Sequence, residues 1–169
     1  QVRVPHSVKT HWVAQDKKFL EHKSLSPLFL ASYSLNELDE LPQWALKAEQ
    51  IVILEPSLQE VTRKLMALKS NFIENNYNIW APCTHQISCP LLKHSKQDWC
   101  FDRFFIEMPT WFLEIEKHLP MKNRGLTYSY LASAKTQPPE RLSRWSRVIG
   151  DTLKEKGKTR QAICRNQER

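Results

Sequence analysis

The densest chemistry in the sequence lies in residues 80 to 100, WAPCTHQISCPLLKHSKQDWC, which place Cys83, Cys89 and Cys100 in one short window. The fourth and last cysteine, Cys164, follows 64 positions after Cys100. Four soft thiolates suit either tetrahedral zinc or an iron–sulfur cluster. The spacing is Cys83-x5-Cys89-x10-Cys100. Zinc sites more often use tight Cys-x2-4-Cys knuckles, and wide, irregular gaps wrap more easily around a larger cluster. His85 and His94 could each replace a thiolate on zinc, although a polar loop residue is the plainer role for both. Disulfides are a further use of paired cysteines, but a chain of 169 residues buries a core without such staples. Four unrelated thiols would not ordinarily gather three of their number on one proline-containing loop.

The elements that must position these thiols are legible around them. AEQIVILEP (48–56) is the clearest strand, with four consecutive apolar residues stopped by Glu55-Pro56. SLQEVTRKLMALKSNFIENN (57–76) reads as an amphipathic helix. Ser57 and Glu60 fit a capping box, and Val61, Leu65, Leu68 and Phe72 recur at helical spacing. THWVAQD (10–16), the start of SPLFLASYSLNEL (26–38), YNIWAP (77–82), LTYSYLASAK (126–135) and KTRQAICR (158–165) read as strands. The second of these turns helix-like through LNELDEL. RLSRWSRVIG (141–150) reads as a short arginine-rich helix or turn. Strands alternating with helices predict an α/β sheet with crossover connections. The two late strands, at 126–135 and 158–165, lack a long apolar helix between them and are expected to form an antiparallel pair.

The longest apolar runs, PLFLA and IVIL, are too short to cross a bilayer. The formal charge is +7, and the excess is concentrated at the end of the chain. Arg141, Arg144, Arg147, Lys154, Lys156 and Lys158 crowd a region whose acids include Asp151 and Glu155. Such a balance suits a phosphate-bearing partner. The three arginines recur at every third position, so on a helix they would share roughly one face. A solvated surface is the competing role for all six. Only three glycines are present, Gly125, Gly150 and Gly157, and none follows an early strand as the phosphate-approaching turn of a nucleotide-binding domain would.

APCTHQISCPL followed by DWC resembles the APCPH, CPL and DWCHF signature of the methyltransferase-like proteins of the small ribosomal subunit. These occur in bacteria and in mitochondria, where they serve small-subunit assembly. ASYSLNEL, IVILEPS, LTYSYLASAK and SRVIGDTLKEKGKTRQAIC are similar to further family segments in the same order, so the resemblance covers roughly residues 26 to 165. Three positions depart from the pattern: Thr84 stands for a proline, Phe101-Asp102 for His-Phe, and Ser57 for a glycine.

The resemblance implies the C-terminal part of a class I methyltransferase (Rossmann-like) sheet carrying a cysteine-rich, metal-binding insertion. Residues 1–80 would form the α/β core, 81–125 the insertion, and 126–169 antiparallel strands completing the sheet. The glycine turn and the first two strands of that fold are expected to lie outside this chain. The resemblance also implies a [4Fe–4S] cluster on Cys83, Cys89, Cys100 and Cys164, with zinc as the alternative. Asp16, after strand three, is the candidate for the adenine of S-adenosylmethionine. Ser32 and Tyr33, after strand four, are candidates for its methyl group, and Glu37 reads equally as a solvated helix face. Trp99 could shield a cluster, stack on a base, or belong to the core. The implied partner is small-subunit rRNA, contacted through Arg141, Arg144, Arg147, Lys154, Lys156 and Lys158. No membrane partner is expected. The implied compartment is the cytoplasm in bacteria and the mitochondrial matrix in eukaryotes.

Overall fold

The computed structural model describes residues 26–38, 40–120, 125–140 and 144–165. The strand expected at 10–16 lies outside them, as does Asp16. The described elements are β1 (Leu28–Ser32), two 3-10 turns (Leu35–Glu37 and Gln43–Lys47), β2 (Gln50–Pro56), α1 (Gln59–Glu74) and β3 (Asn78–Ala81). There follow α2 (Pro90–His94), β4 (Asp102–Phe104), α3 (Thr110–Glu116), β5 (Leu126–Ala134), β6 (Arg147–Glu155) and β7 (Lys158–Cys164).

The main sheet has the order β1-β2-β5-β3, with β4 paired to the early part of β5. β1 and β2 are parallel, whereas β5 runs antiparallel to both β2 and β3. β1, β2 and β3 therefore point one way, with β5 inserted in reverse between the last two. β2 earns its unbroken apolar run from this placement: Ile51 and Ile53 are fully buried, while Val52 and Leu54 are half-covered. The helix α1 lays Leu65 and Phe72 against Ile51, Ile53, Ile79 and Leu131. Burying Phe72 alone contributes about 1.5–3 kcal/mol by apolar transfer. Asn76 adopts a left-handed φ of 63° just past α1, the conformation that commonly ends a helix.

Several expectations are corrected. The helix begins after Leu58 and has no side-chain cap; the Ser57 hydroxyl instead donates to Thr127 Oγ1 at 2.7 Å, pinning the end of β2 to β5. The helical stretch after β1 is only a 3-10 turn, Leu35–Glu37. The strand at 126–135 does not pair with that at 158–165. β5 takes the interior position of the main sheet, where its alternate residues are covered, and β7 pairs with β6 in a separate two-stranded ribbon. The stretch expected as an arginine-rich helix or turn enters β6 at Arg147, so Arg147 lies on a strand and not on a helical face. Its first residues, 141–143, lie outside the described residues.

The ribbon turns through Lys156-Gly157, with Gly157 at φ 78°, and its far part is exposed on both faces. Only its root is buried, at Ile149 and Cys164.

Candidate metal centre

Four different places in the fold each bring one cysteine to a shared cavity. Cys83 follows β3, just past a cis Ala81–Pro82 bond; Cys89 is the residue from which α2 starts; Cys100 precedes β4; Cys164 ends β7. All four are free thiols, and all four line one cavity of about 30 Å³. Cys89 and Cys164 are buried with Met66, Leu91 and Ile149, against which Trp99 and Cys100 pack. Cys83 and Cys100 are half-buried. Among the described residues, no three His, Cys, Asp or Glu side chains are grouped as the ligands of a single metal ion would be.

The loops carrying the thiols are held by side chains that substitute for strand pairing. The Gln86 amide clamps the backbone of Ile79 from both sides, accepting from its N–H and donating to its carbonyl, each at 2.7 Å. That fixes the Cys83–Cys89 loop to β3. Trp99 Nε1 donates to the Ser57 carbonyl at 2.7 Å, and Arg63 donates to the Asp98 carbonyl at 2.7 Å. Ser129, buried on β5, donates to the Cys100 carbonyl at 2.9 Å. Cys164 faces Arg147 in the register of the ribbon, so the ribbon is rooted at the cavity.

Two cations stand at the thiols. Lys69, on the buried face of α1 and 1% exposed, places Nζ 3.0 Å from His85 Nδ1. His85 Nε2 lies 3.8 Å from Cys164 Sγ. Arg147 pairs with Asp102 at 3.0 Å and lies over the Tyr130 ring, 5.7 Å from its centroid. Its Nε is buried without a hydrogen-bond partner.

Burial sets the protonation states. It pushes the Cys100 thiol up to about 12, against the pull of Arg147, with Cys83 adding to the rise. Burial likewise raises Cys164 to about 11, with Cys83 and Cys89 contributing. Cys89 is also raised, chiefly by burial. His85 is lowered to about 4, first by burial and then by Lys69, so its ring is neutral near pH 7. Burial alone would lower the Arg147 guanidinium, yet the facing Cys100, Asp102 and Tyr130 hold it above its ordinary value. Three thiols are thus kept protonated in the metal-free chain. A metal replacing those protons would leave thiolates facing Lys69 and Arg147.

The remaining expected site residues are placed elsewhere. Ser32 and Tyr33 are exposed at the carboxyl end of β1. Tyr33 holds a left-handed φ of 54°, a strained conformation for an aromatic residue, while its N–H donates to the Leu54 carbonyl at 2.8 Å. Glu37 is exposed in a 3-10 turn. His94 is exposed at the end of α2, whereas His85 is 5% exposed, with Nε2 3.8 Å from Cys164 Sγ. Arg144 and Lys154, Lys156 and Lys158 are exposed, the last paired with Glu155 at 3.1 Å. Arg141 lies outside the described residues. Arg147 is separated from that exposed set and lines the thiol cavity.

Lys69, which lines the thiol cavity beside His85, is a residue that the motifs do not mark. The signal was present: Thr62, Leu65, Lys69 and Phe72 lie along one helical face, so a lysine falls within an otherwise buried stripe. Glu55, 1% exposed, was read only as a strand stop; its Oε1 accepts from the Leu35 N–H at 2.8 Å and ties the exits of β1 and β2 together.

Fold and site together define an α/β protein whose main sheet, cysteine-bearing loops and basic ribbon meet at a cavity lined by four thiols. The sequence profile of the family described as mitochondrial small ribosomal subunit Rsm22 matches residues 5–169. The chain belongs to that family, which links it to the small ribosomal subunit, to mitochondria and to translation. No curated protein matches the chain. Among the described residues, no helix is long and apolar enough to cross a membrane.

Proposed function

We propose that the chain is an iron–sulfur-binding, methyltransferase-like component that acts on or with small-subunit rRNA. Cys83, Cys89, Cys100 and Cys164 would hold a [4Fe–4S] cluster. The observation that carries this reading is the convergence of all four cysteines of the chain on one cavity. The donor set fits the group: four thiols, apolar walls, and the buried Lys69 and half-buried Arg147 to offset thiolate charge. A bound cluster would supply a cross-link among β3, α2, the segment before β4 and the ribbon root.

The chain's own residues do the rest. Gln86, Trp99 and Ser129 hold the thiol-bearing backbone in place, and Leu91 and Met66 exclude water. The exposed Arg144, Lys154, Lys156 and Lys158 are proposed to meet RNA phosphates from the ribbon and its approach. The methyltransferase-type sheet is supported by the reversed β5 between two co-directional strands. Ligands of such sheets bind outside the carboxyl ends of the strands, where Ser32 and the strained Tyr33 sit. We assign these two to the wall of an S-adenosylmethionine site.

Calorimetry with S-adenosylmethionine, on this chain and on Tyr33→Ala, tests the donor site. Heat of binding lost in the variant supports it. Absence of binding to the parent chain leaves the non-catalytic alternative, an RNA-binding assembly factor whose metal is structural.

A further inference from the structure

We propose that Lys69 and His85 form a fixed relay that aims a hydrogen-bond donor at the sulfur of Cys164, making both positioning residues for the thiol set. The consequence for metal binding rests on the cluster reading above; the relay itself belongs to the protein alone.

The hydrogen-bond inventory of the two side chains decides the direction. A lysine ammonium donates and cannot accept. With Nζ at 3.0 Å, we assign His85 Nδ1 as the acceptor of a charged Lys69. A neutral imidazole accepting at one nitrogen carries its proton on the other. That places the N–H on Nε2, which lies 3.8 Å from Cys164 Sγ, within reach of a sulfur acceptor. The Ile87 backbone carbonyl is a second acceptor that the ring faces, and alone it would leave the tautomer open. A proton on Nδ1 would instead confront the Lys69 donors at close range.

Burial makes the arrangement rigid. Lys69 and His85 are 1% and 5% exposed, so water does not compete for either group. A lysine loses solvation when buried and is rarely left so without a partner. Here its described hydrogen-bond partner is the imidazole, and the imidazole faces a cysteine 79 positions away in sequence. Groups of this kind, one shell out from a metal ligand, fix its orientation and tune the metal through hydrogen bonds to sulfur.

The test combines a metal-free and a metal-loaded readout on Lys69→Met, a substitution of similar volume. Nitrogen-15 NMR of the metal-free chain is expected to show His85 protonated at Nε2, with Nδ1 protonation gaining population in Lys69→Met. Nδ1 protonation in the parent chain would overturn the relay, whether or not that chain takes up iron. After anaerobic reconstitution, Lys69→Met is expected to hold its iron about 10- to 100-fold more weakly, and His85→Asn likewise. The reduction potential of the remaining bound iron should fall as the hydrogen bond to sulfur is lost. Iron retention and potential equal to the parent in both variants would overturn the positioning role. A parent chain that takes up no iron would count against the cluster reading, with the NMR result still deciding the relay.

Discussion

Cys164 Sγ lies 3.8 Å from Nε2 of His85, although 79 positions separate the two residues. The contact joins the end of the ribbon to the loop between Cys83 and Cys89. It also shows how the cavity is closed: the last strand returns its cysteine to a loop formed far earlier in the chain. The thiols are contributed by segments that share no common secondary structure, so their geometry depends on the packing of α1, β5 and the ribbon root.

Replacing Cys164 with Ser is expected to lower metal content sharply while leaving the main sheet intact. Cys164 sits at the ribbon root and makes no part of the β1-β2-β5-β3 order. Metal analysis alongside circular dichroism reads both effects. Unchanged metal content would remove Cys164 from the ligand set.

The metal-free chain should be most stable between about pH 6.5 and 9. His85 titrates near 6.5 when unfolded and near 4 when folded, so its contribution is full above 6.5 and is lost as pH falls toward 4. Cys100 and Cys164 titrate near 9.0 when unfolded and near 12 and 11 when folded. Their contribution is full below 9 and is lost as pH rises through those values. Chemical denaturation of metal-free protein across pH checks both limbs. A midpoint that does not fall on either side would contradict the assigned protonation states.

Phe72→Ala should destabilise the chain by about 3–5 kcal/mol, because the ring is fully buried beside Ile51, Ile53 and Tyr77. Urea unfolding measures it. A loss below about 1 kcal/mol would mean that α1 is not seated on the sheet as described.

The triple variant Lys154→Ala, Lys156→Ala, Lys158→Ala should weaken binding to small-subunit rRNA fragments and reduce the salt slope by up to about 3, with little change in stability. All three side chains are exposed on the ribbon. Arg147→Ala should behave oppositely: it should impair metal retention, since the half-buried Arg147 lies against Tyr130 and Asp102 beside Cys100. Fluorescence titration at several salt concentrations separates the two. Equal salt slopes for parent and triple variant would contradict phosphate contact by the ribbon.

The local signals in the sequence were strong where one element decides its own fate. IVIL required a covered strand, and Leu65 and Phe72 marked the buried face of α1; both are where periodicity put them. The three-cysteine window likewise marked its own cavity, and Cys164 joins it. Pairing partners were not legible, because β5 carries the same alternating pattern whether it lies at an edge or between β2 and β3. The arginine spacing misled for a related reason. A three-residue repeat suits a helix, yet the strand pairing of Arg147 with Cys164 overrides that local preference. Ser57 looked like a cap but found Thr127, a partner 70 positions away that no local rule reveals.

Purification of the chain without oxygen, followed by iron and acid-labile sulfide analysis with visible absorption, tests the central claim most directly. The account predicts a brown protein with about four irons and about four sulfides per chain, lost together in Cys83→Ser, Cys89→Ser or Cys100→Ser. A colourless protein carrying one zinc per chain, or full iron retention in those variants, would contradict it.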